Sequence, residues 1–182
     1  MVGDSLSAAH GMVQKEGWVS LLALRLIREQ WPYRVINASI SGETTHGART
    51  RFKDILATHR PSVVIIALGG NDGLRGLSLN AMQENLATMI EAAQHGRSQV
   101  LLVGMQLPPN YGSTFTTRFA NSYHQLAQQY NVALLPFLLK GMERDLALFQ
   151  RDGIHPLNSA QPLILENIWP HLLPLLNKPA KK

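Results

Sequence analysis

Apolar and polar positions along the chain change period several times, and each change marks a switch between helix and strand. Over 17–30, Trp18, Leu22 and Leu26 recur at helical spacing with Val19, Ala23 and Ile27 beside them, and Pro32 ends the pattern. Residues 33–38 read as a strand. Ala48, Phe52, Ile55 and Leu56 stripe a helix over 45–59 that stops before Pro61. Residues 62–68, S-V-V-I-I-A-L, form a continuous apolar run, as expected of a strand buried on both faces. Leu79, Met82, Leu86, Met89, Ile90 and Ala93 give the clearest helix, ending near Gly96. Residues 99–105 and 132–135 are further strands, and between them Phe115, Phe119, Tyr123, Leu126 and Tyr130 stripe a helix. A final helix is expected over 158–176; Pro162 suits its first turn, and Pro170 should kink it.

This alternation predicts an α/β protein with a parallel sheet covered by helices on both faces. The longest irregular stretch, 136–157, holds room for a short helix over 141–149. A loop of that length in a compact domain is usually functional. The pattern contains no repeat, low-complexity tract or second domain, so 1–182 is expected to be one domain. That length suffices to bury roughly 70% of the unfolded surface.

The chemistry sits on the loops that follow strands. Gly3-Asp4-Ser5-Leu6-Ser7 follows the first strand, and Asp152-Gly153-Ile154-His155-Pro156 lies near the other end. A serine hydroxyl is a weak nucleophile unless a base takes its proton, and a histidine does so when a carboxylate orients its ring. Each half alone has an ordinary reading, the first as a turn and the second as a surface pair or half a metal site. Two further segments join them. Gly69-Gly70-Asn71-Asp72-Gly73 follows the apolar strand, where glycines admit a ligand close to the backbone and Asn71 supplies an amide donor. Asn37-Ala38-Ser39-Ile40-Ser41-Gly42-Glu43-Thr44 ends a second strand, with the Gly42 N–H facing the same crevice. Ser5, Gly42, Asn71, the 107–111 loop and His155 therefore converge on one sheet edge by topology, the edge at which open α/β sheets bind ligands.

These four motifs, together with L-P-P-N-Y-G at 107–112, resemble the SGNH (GDSL) hydrolases, and within them the bacterial multifunctional acyl-thioesterase, lysophospholipase and arylesterase group. The resemblance implies a flavodoxin-like three-layer α/β/α fold with a five-stranded parallel sheet in the order 2-1-3-4-5. It implies a catalytic triad of Ser5, Asp152 and His155, and an oxyanion hole made by the backbone N–H groups of Ser5 and Gly42 with the Asn71 side chain. It also puts the 107–111 loop at the substrate's border, so Leu107, Pro108 and Tyr111 are expected there along with Asp4 and Gly70. Asp4 is in addition a rival carboxylate to Asp152, although supporting the turn is its plainer role. Glu43 reads as a solvated charge, Asp72 as a brace for the Asn71 loop, and His10 and His46 as ordinary loop histidines. In the family an apolar strand leads into the Gly-Asp-Ser turn. Only Met1 and Val2 stand there in this sequence, so that first strand is expected to be largely missing from the chain and further residues to lie upstream.

The expected function is hydrolysis of carboxylic esters, of acyl thioesters or of both, on aryl or alkyl ester, lysophospholipid or acyl-CoA type substrates, through an acyl-enzyme on Ser5. A carbohydrate O-acetyl esterase shares these motifs. A phosphate-binding flavodoxin-like module built on Gly69, Gly70 and Gly73 is the alternative of a different class, although no G-x-G-x-x-G is present. No cofactor is expected. No H-E-x-x-H or paired-histidine spacing points to a metal, and the absence of cysteine excludes disulfides and thiolate ligands. The formal charge of +5 comes from scattered basic residues clustered only at Lys178, Lys181 and Lys182, without a nucleic-acid motif. No apolar run is long enough to insert stably in a membrane. The resemblance implies a periplasmic or secreted enzyme, with a cytoplasmic one as the alternative.

Overall fold

The computed structural model describes residues 1–177; the lysine cluster at the end of the chain lies outside them. Four parallel strands, β1 (Val2–Gly3), β2 (Val63–Ala67), β3 (Gln99–Val103) and β4 (Ala133–Leu135), lie side by side in that order. Val2 stands opposite Ile66, Val64 opposite Val100, and Leu102 opposite Leu134. Ile66, Leu101, Leu102 and Val103 are fully buried, as their unbroken apolar runs predict for strands covered on both faces.

The sheet has one strand fewer than expected, because 33–38 forms no regular ladder. The segment nevertheless occupies the expected place beside β1. The Met1 ammonium donates to the Ile36 carbonyl at 2.9 Å, Ala38 N–H to Met1 O at 2.9 Å, and Ile40 N–H to Gly3 O at 3.0 Å. A ladder needs a partner strand along its length, and β1 offers two residues. In space the order 2-1-3-4-5 is kept.

Among the described residues six α-helices flank the sheet: α1 (Trp18–Arg28), α2 (Thr45–His59), the short α3 (Gly70–Leu74), α4 (Leu79–His95), α5 (Ser113–Tyr130) and α6 (Gln161–Leu172). α1 packs on α6, while α2, α4 and α5 pack in a row. The α1–α6 seam buries Trp18, Leu22, Leu26, Ile164 and Ile168. It is pinned by the Trp18 N–H, which donates to Gln161 Oε1 at 3.0 Å, and by the Arg25 guanidinium 4.1 Å above the Trp169 ring. Leu22→Ala would remove a buried side chain there and cost about 2–5 kcal/mol.

The caps follow the sequence. Thr44 accepts the Gly47 N–H at the start of α2, and Ser78 accepts the Ala81 N–H at the start of α4. α6 continues through Pro170 and tightens into a 3₁₀ turn at Leu173–Leu175. The helix expected over 141–149 is reduced to one 3₁₀ turn at Leu146–Leu148, with turns before it. A cavity of about 280 Å³ lined by Val2, Leu22, Leu26, Val35, Phe52 and Val64 lies at the amino-terminal side of the strands, and no residue of the Ser5–His155 pair lines it. Among the described residues no helix is long and apolar enough to cross a membrane.

Candidate active site

Ser5 leaves β1 in a tight turn built by its neighbour Asp4. The Asp4 carbonyl accepts the N–H groups of Ser7 (3.1 Å) and Ala8 (2.9 Å), and its carboxylate Oδ1 accepts the Leu6 N–H at 3.1 Å. Asp4 is 2% exposed. Burial pushes its carboxyl up to about 6, against the opposing pull of the Leu6 N–H and of His155. Supporting the turn is thus the job its contacts describe, and the group faces protein rather than solvent.

The loop carrying His155 is self-bonded. Phe149 and Pro156 form an antiparallel bridge, Gln150 N–H donates to His155 O at 2.7 Å, and Leu157 N–H to Leu148 O at 2.7 Å. Asp152 Oδ1 accepts the N–H groups of Ile154 (2.9 Å) and His155 (3.0 Å), while Oδ2 lies 2.7 Å from His155 Nδ1. Those backbone and ring bonds hold the Asp152 carboxyl down to about 2, so it is an anion at any pH near neutrality. His155 Nε2 lies 2.8 Å from Ser5 Oγ. Carboxylate, imidazole and hydroxyl therefore form one hydrogen-bonded line, although 150 residues separate Ser5 from His155. An imidazole held in this way can take a proton from the hydroxyl at Nε2 because Asp152 keeps its proton on Nδ1.

Asn71 arrives on α3. The helix starts immediately after β2 because Gly69 turns the chain with φ +110°, at a point where a Cβ would strike the Tyr123 hydroxyl. Tyr123 in turn donates to Leu68 O at 2.9 Å. Asn71 Nδ2 donates to the Glu43 carbonyl at 3.1 Å; its distance to Asp4 Oδ2 is 3.5 Å, too long for a strong bond. A primary amide carries two hydrogens, and the one that meets only the long Asp4 contact can be shared with a ligand. Gly70 packs on Asp4, whose Oδ2 is 3.4 Å from where a Cβ would stand. Gly42 is exposed, and the Arg75 guanidinium donates to its carbonyl at 3.0 Å. Asp72 is buried and accepts the backbone N–H (2.9 Å) and hydroxyl (2.6 Å) of Thr45, a brace between the Asn71 and Gly42 loops.

In the 107–111 loop, Leu107 is buried against Gly73 and Phe119, Pro108 is exposed, and the Tyr111 hydroxyl donates to Leu74 O at 3.0 Å. Tyr111 thereby ties this loop to the end of α3. Two readings of the sequence need correction. Glu43 is not a solvated charge: it is buried and ion-paired with Arg51, which also donates to Ala38 O. The partner stands eight residues on, across the loop-to-helix junction, a spacing that carries no local signature. His10 is not bland: its ring lies 4.4 Å from the His155 ring, centroid to centroid, tilted by 41°. Among the described residues no group of three or more His, Cys, Asp or Glu could hold a metal ion.

The profile of the GDSL-like lipase/acylhydrolase family matches residues 1–160. The chain belongs to this family. It is an acylhydrolase by that membership, and the phosphate-binding alternative falls with it. The chain is 49% identical to the esterase TesA of Pseudomonas aeruginosa over 97% of its own length and 88% of that protein. A crystal structure of TesA superposes with a TM-score of 0.94 over 96% of this chain and 97% of that one, at 50% identity. Thioesterase 1/protease 1/lysophospholipase L1 of Escherichia coli K12 is 36% identical, covering 97% of this chain and 84% of that protein. A psychrotrophic esterase, EstA from Pseudoalteromonas, in a structure inhibited by monoethylphosphonate, superposes with a TM-score of 0.92 at 39% identity over 97% of both chains.

Proposed function

We propose that this acylhydrolase cleaves carboxylic esters and acyl thioesters through an acyl-enzyme on Ser5. The observation that carries the reading is the unbroken line Asp152–His155–Ser5, with bonds of 2.7 and 2.8 Å. As Ser5 Oγ attacks the acyl carbon, its proton passes to His155 Nε2. The carbonyl π electrons move onto oxygen, giving a tetrahedral oxyanion. The Ser5 and Gly42 N–H groups and the Asn71 side-chain amide stabilise that charge where it develops. On collapse, the leaving alkoxide or thiolate takes the proton from His155. Water then repeats the sequence on the acyl-enzyme, giving its proton to His155 and releasing the acid as Ser5 regains a proton. Asp152 stays ionised throughout and stabilises the imidazolium.

Substrates of the aryl or alkyl ester, lysophospholipid and acyl-CoA kinds suit the apolar Leu107 and Tyr111 beside the site, and the names of the relatives point the same way. The same resemblance supports action in the periplasm or outside the cell, which the cysteine-free sequence tolerates. The test is hydrolysis of a p-nitrophenyl ester by Ser5→Ala. Loss of several orders of magnitude in kcat supports the assignment, and retention of more than about a tenth of the rate contradicts it.

A further inference from the structure

Three features outside the Asp152–His155–Ser5 line meet on the outer side of His155. His10 presses its ring against the His155 ring at 4.4 Å. Its backbone N–H donates to Ser5 O at 3.2 Å, so the ring is carried by the nucleophile's own turn. Gln150, on the loop that carries His155, donates from Nε2 to His10 O at 2.9 Å and also lies 3.4 Å from Pro156 O, while its backbone N–H donates to His155 O. The turn is shaped for this approach. Ala9 and Gly11 both have positive φ, and a Cβ at Gly11 would collide with the Gln150 side-chain amide. A left-handed alanine is strained and persists only where its surroundings dictate it.

We propose that His10 and Gln150 form a clamp that registers the nucleophile turn against the histidine loop and holds the His155 imidazole on the Ser5 hydroxyl; both are positioning residues. The other restraints on the ring, Asp152 at Nδ1 and Ser5 at Nε2, act through its two nitrogens, and the Asp152 side chain is 42% exposed. Both bonds lie at the edge of the ring, so neither packs against its face. The His10 ring, tilted by 41° over the His155 ring, supplies that packing, and Gln150 keeps it in place. Reaction geometry is steep enough that a displacement of about 1 Å costs roughly a hundredfold in rate.

The inference rests on the Ser5–His155 reading, so Ser5→Ala is run beside the clamp variants on a neutral p-nitrophenyl ester. His10→Phe, which keeps a flat ring and cannot ionise, should retain kcat within about threefold, whereas His10→Ala and His10→Leu should lose about tenfold to a hundredfold, with KM within about twofold. Gln150→Ala should fall in the same range, and the double variant with His10→Ala should be no worse than the poorer single, as for residues acting as a unit. Leucine fills volume without a flat face, so the Phe–Leu pair keeps the comparison valid should alanine unfold the turn. Wild-type kcat in His10→Leu, equal losses in Phe and Leu, or a change confined to KM overturns the clamp. Activity in Ser5→Ala overturns the catalytic reading instead.

Discussion

Arg51, in the second turn of α2, holds the buried carboxylate of Glu43, whose own carbonyl accepts the amide hydrogen of Asn71. The ion pair thus supports the Gly42 and Asn71 loops together. Removing Arg51 alone leaves a carboxylate that is 6% exposed without its partner. Arg51→Leu should cost about 1–3 kcal/mol in a denaturant titration. Arg51→Leu with Glu43→Gln should recover part of that, because the stranded charge is gone. A double variant no more stable than Arg51→Leu would show that the pair contributes by packing and not by charge.

Asn71 gives one hydrogen to the Glu43 carbonyl at 3.1 Å and directs the other at Asp4 Oδ2 over a longer 3.5 Å. If the second meets the oxyanion, Asn71→Ala should lower kcat by roughly 10²–10³ with a much smaller change in KM. A change in KM alone would make Asn71 a group that binds the ground state.

Asp152 keeps the His155 proton on Nδ1, so Asp152→Asn should reduce kcat by about 10⁴ by favouring the wrong tautomer. Its own titration lies elsewhere. With the folded carboxyl held down to about 2 from an ordinary 3.8, its stabilising contribution is present above pH 4 and is lost as pH falls toward 2. A kcat/KM profile that falls between pH 8 and 5 therefore cannot report Asp152. A kcat unchanged in Asp152→Asn would show that another carboxylate, such as Asp4, orients His155.

Asp4 has the opposite sign. Its folded carboxyl is raised from 3.8 to about 6, so the native state binds the extra proton between those values. Stability from this group is full below pH 4 and is lost as pH rises to about 6. Asp4→Asn can still accept the Leu6 N–H and avoids burying a charge. Its unfolding free energy in a denaturant titration should match wild type near pH 4 and exceed it at pH 8, by an amount on the order of 1–3 kcal/mol. An equal offset at both pH values would show that Asp4 carries no such penalty.

The parts of this molecule legible in the sequence are those written locally. The run 62–68 gives β2 because both faces of a central strand are buried, and the helical stripe from Leu79 to Ala93 gives α4 because one face is. Asp152 and His155 are three residues apart, so their pairing is contained in one turn of loop. What the sequence hides depends on tertiary neighbours. Residues 33–38 have strand composition, but a ladder also needs a partner of matching length. His10 meets His155 only because the first and last loops leave the same sheet edge, and no periodicity records a contact over that separation. The expected helix over 141–149 yields to the turns that deliver the histidine loop.

The acyl pocket is the part of the proposal that separates this enzyme from a carbohydrate O-acetyl esterase. If Leu107 and Tyr111 border the acyl chain as proposed, p-nitrophenyl esters longer than acetate should be turned over at least as well as acetate, whereas a deacetylase would strongly prefer acetate.

The central claim is that Ser5 is the nucleophile activated by His155. Reaction with an organophosphonate followed by peptide mass spectrometry tests it most directly, because the reagent forms a stable bond to an activated serine. The account predicts one adduct per chain, on the amino-terminal peptide at Ser5, with none in Ser5→Ala and strongly slowed labelling in His155→Ala. An adduct at another residue, or full labelling of Ser5→Ala, would contradict it.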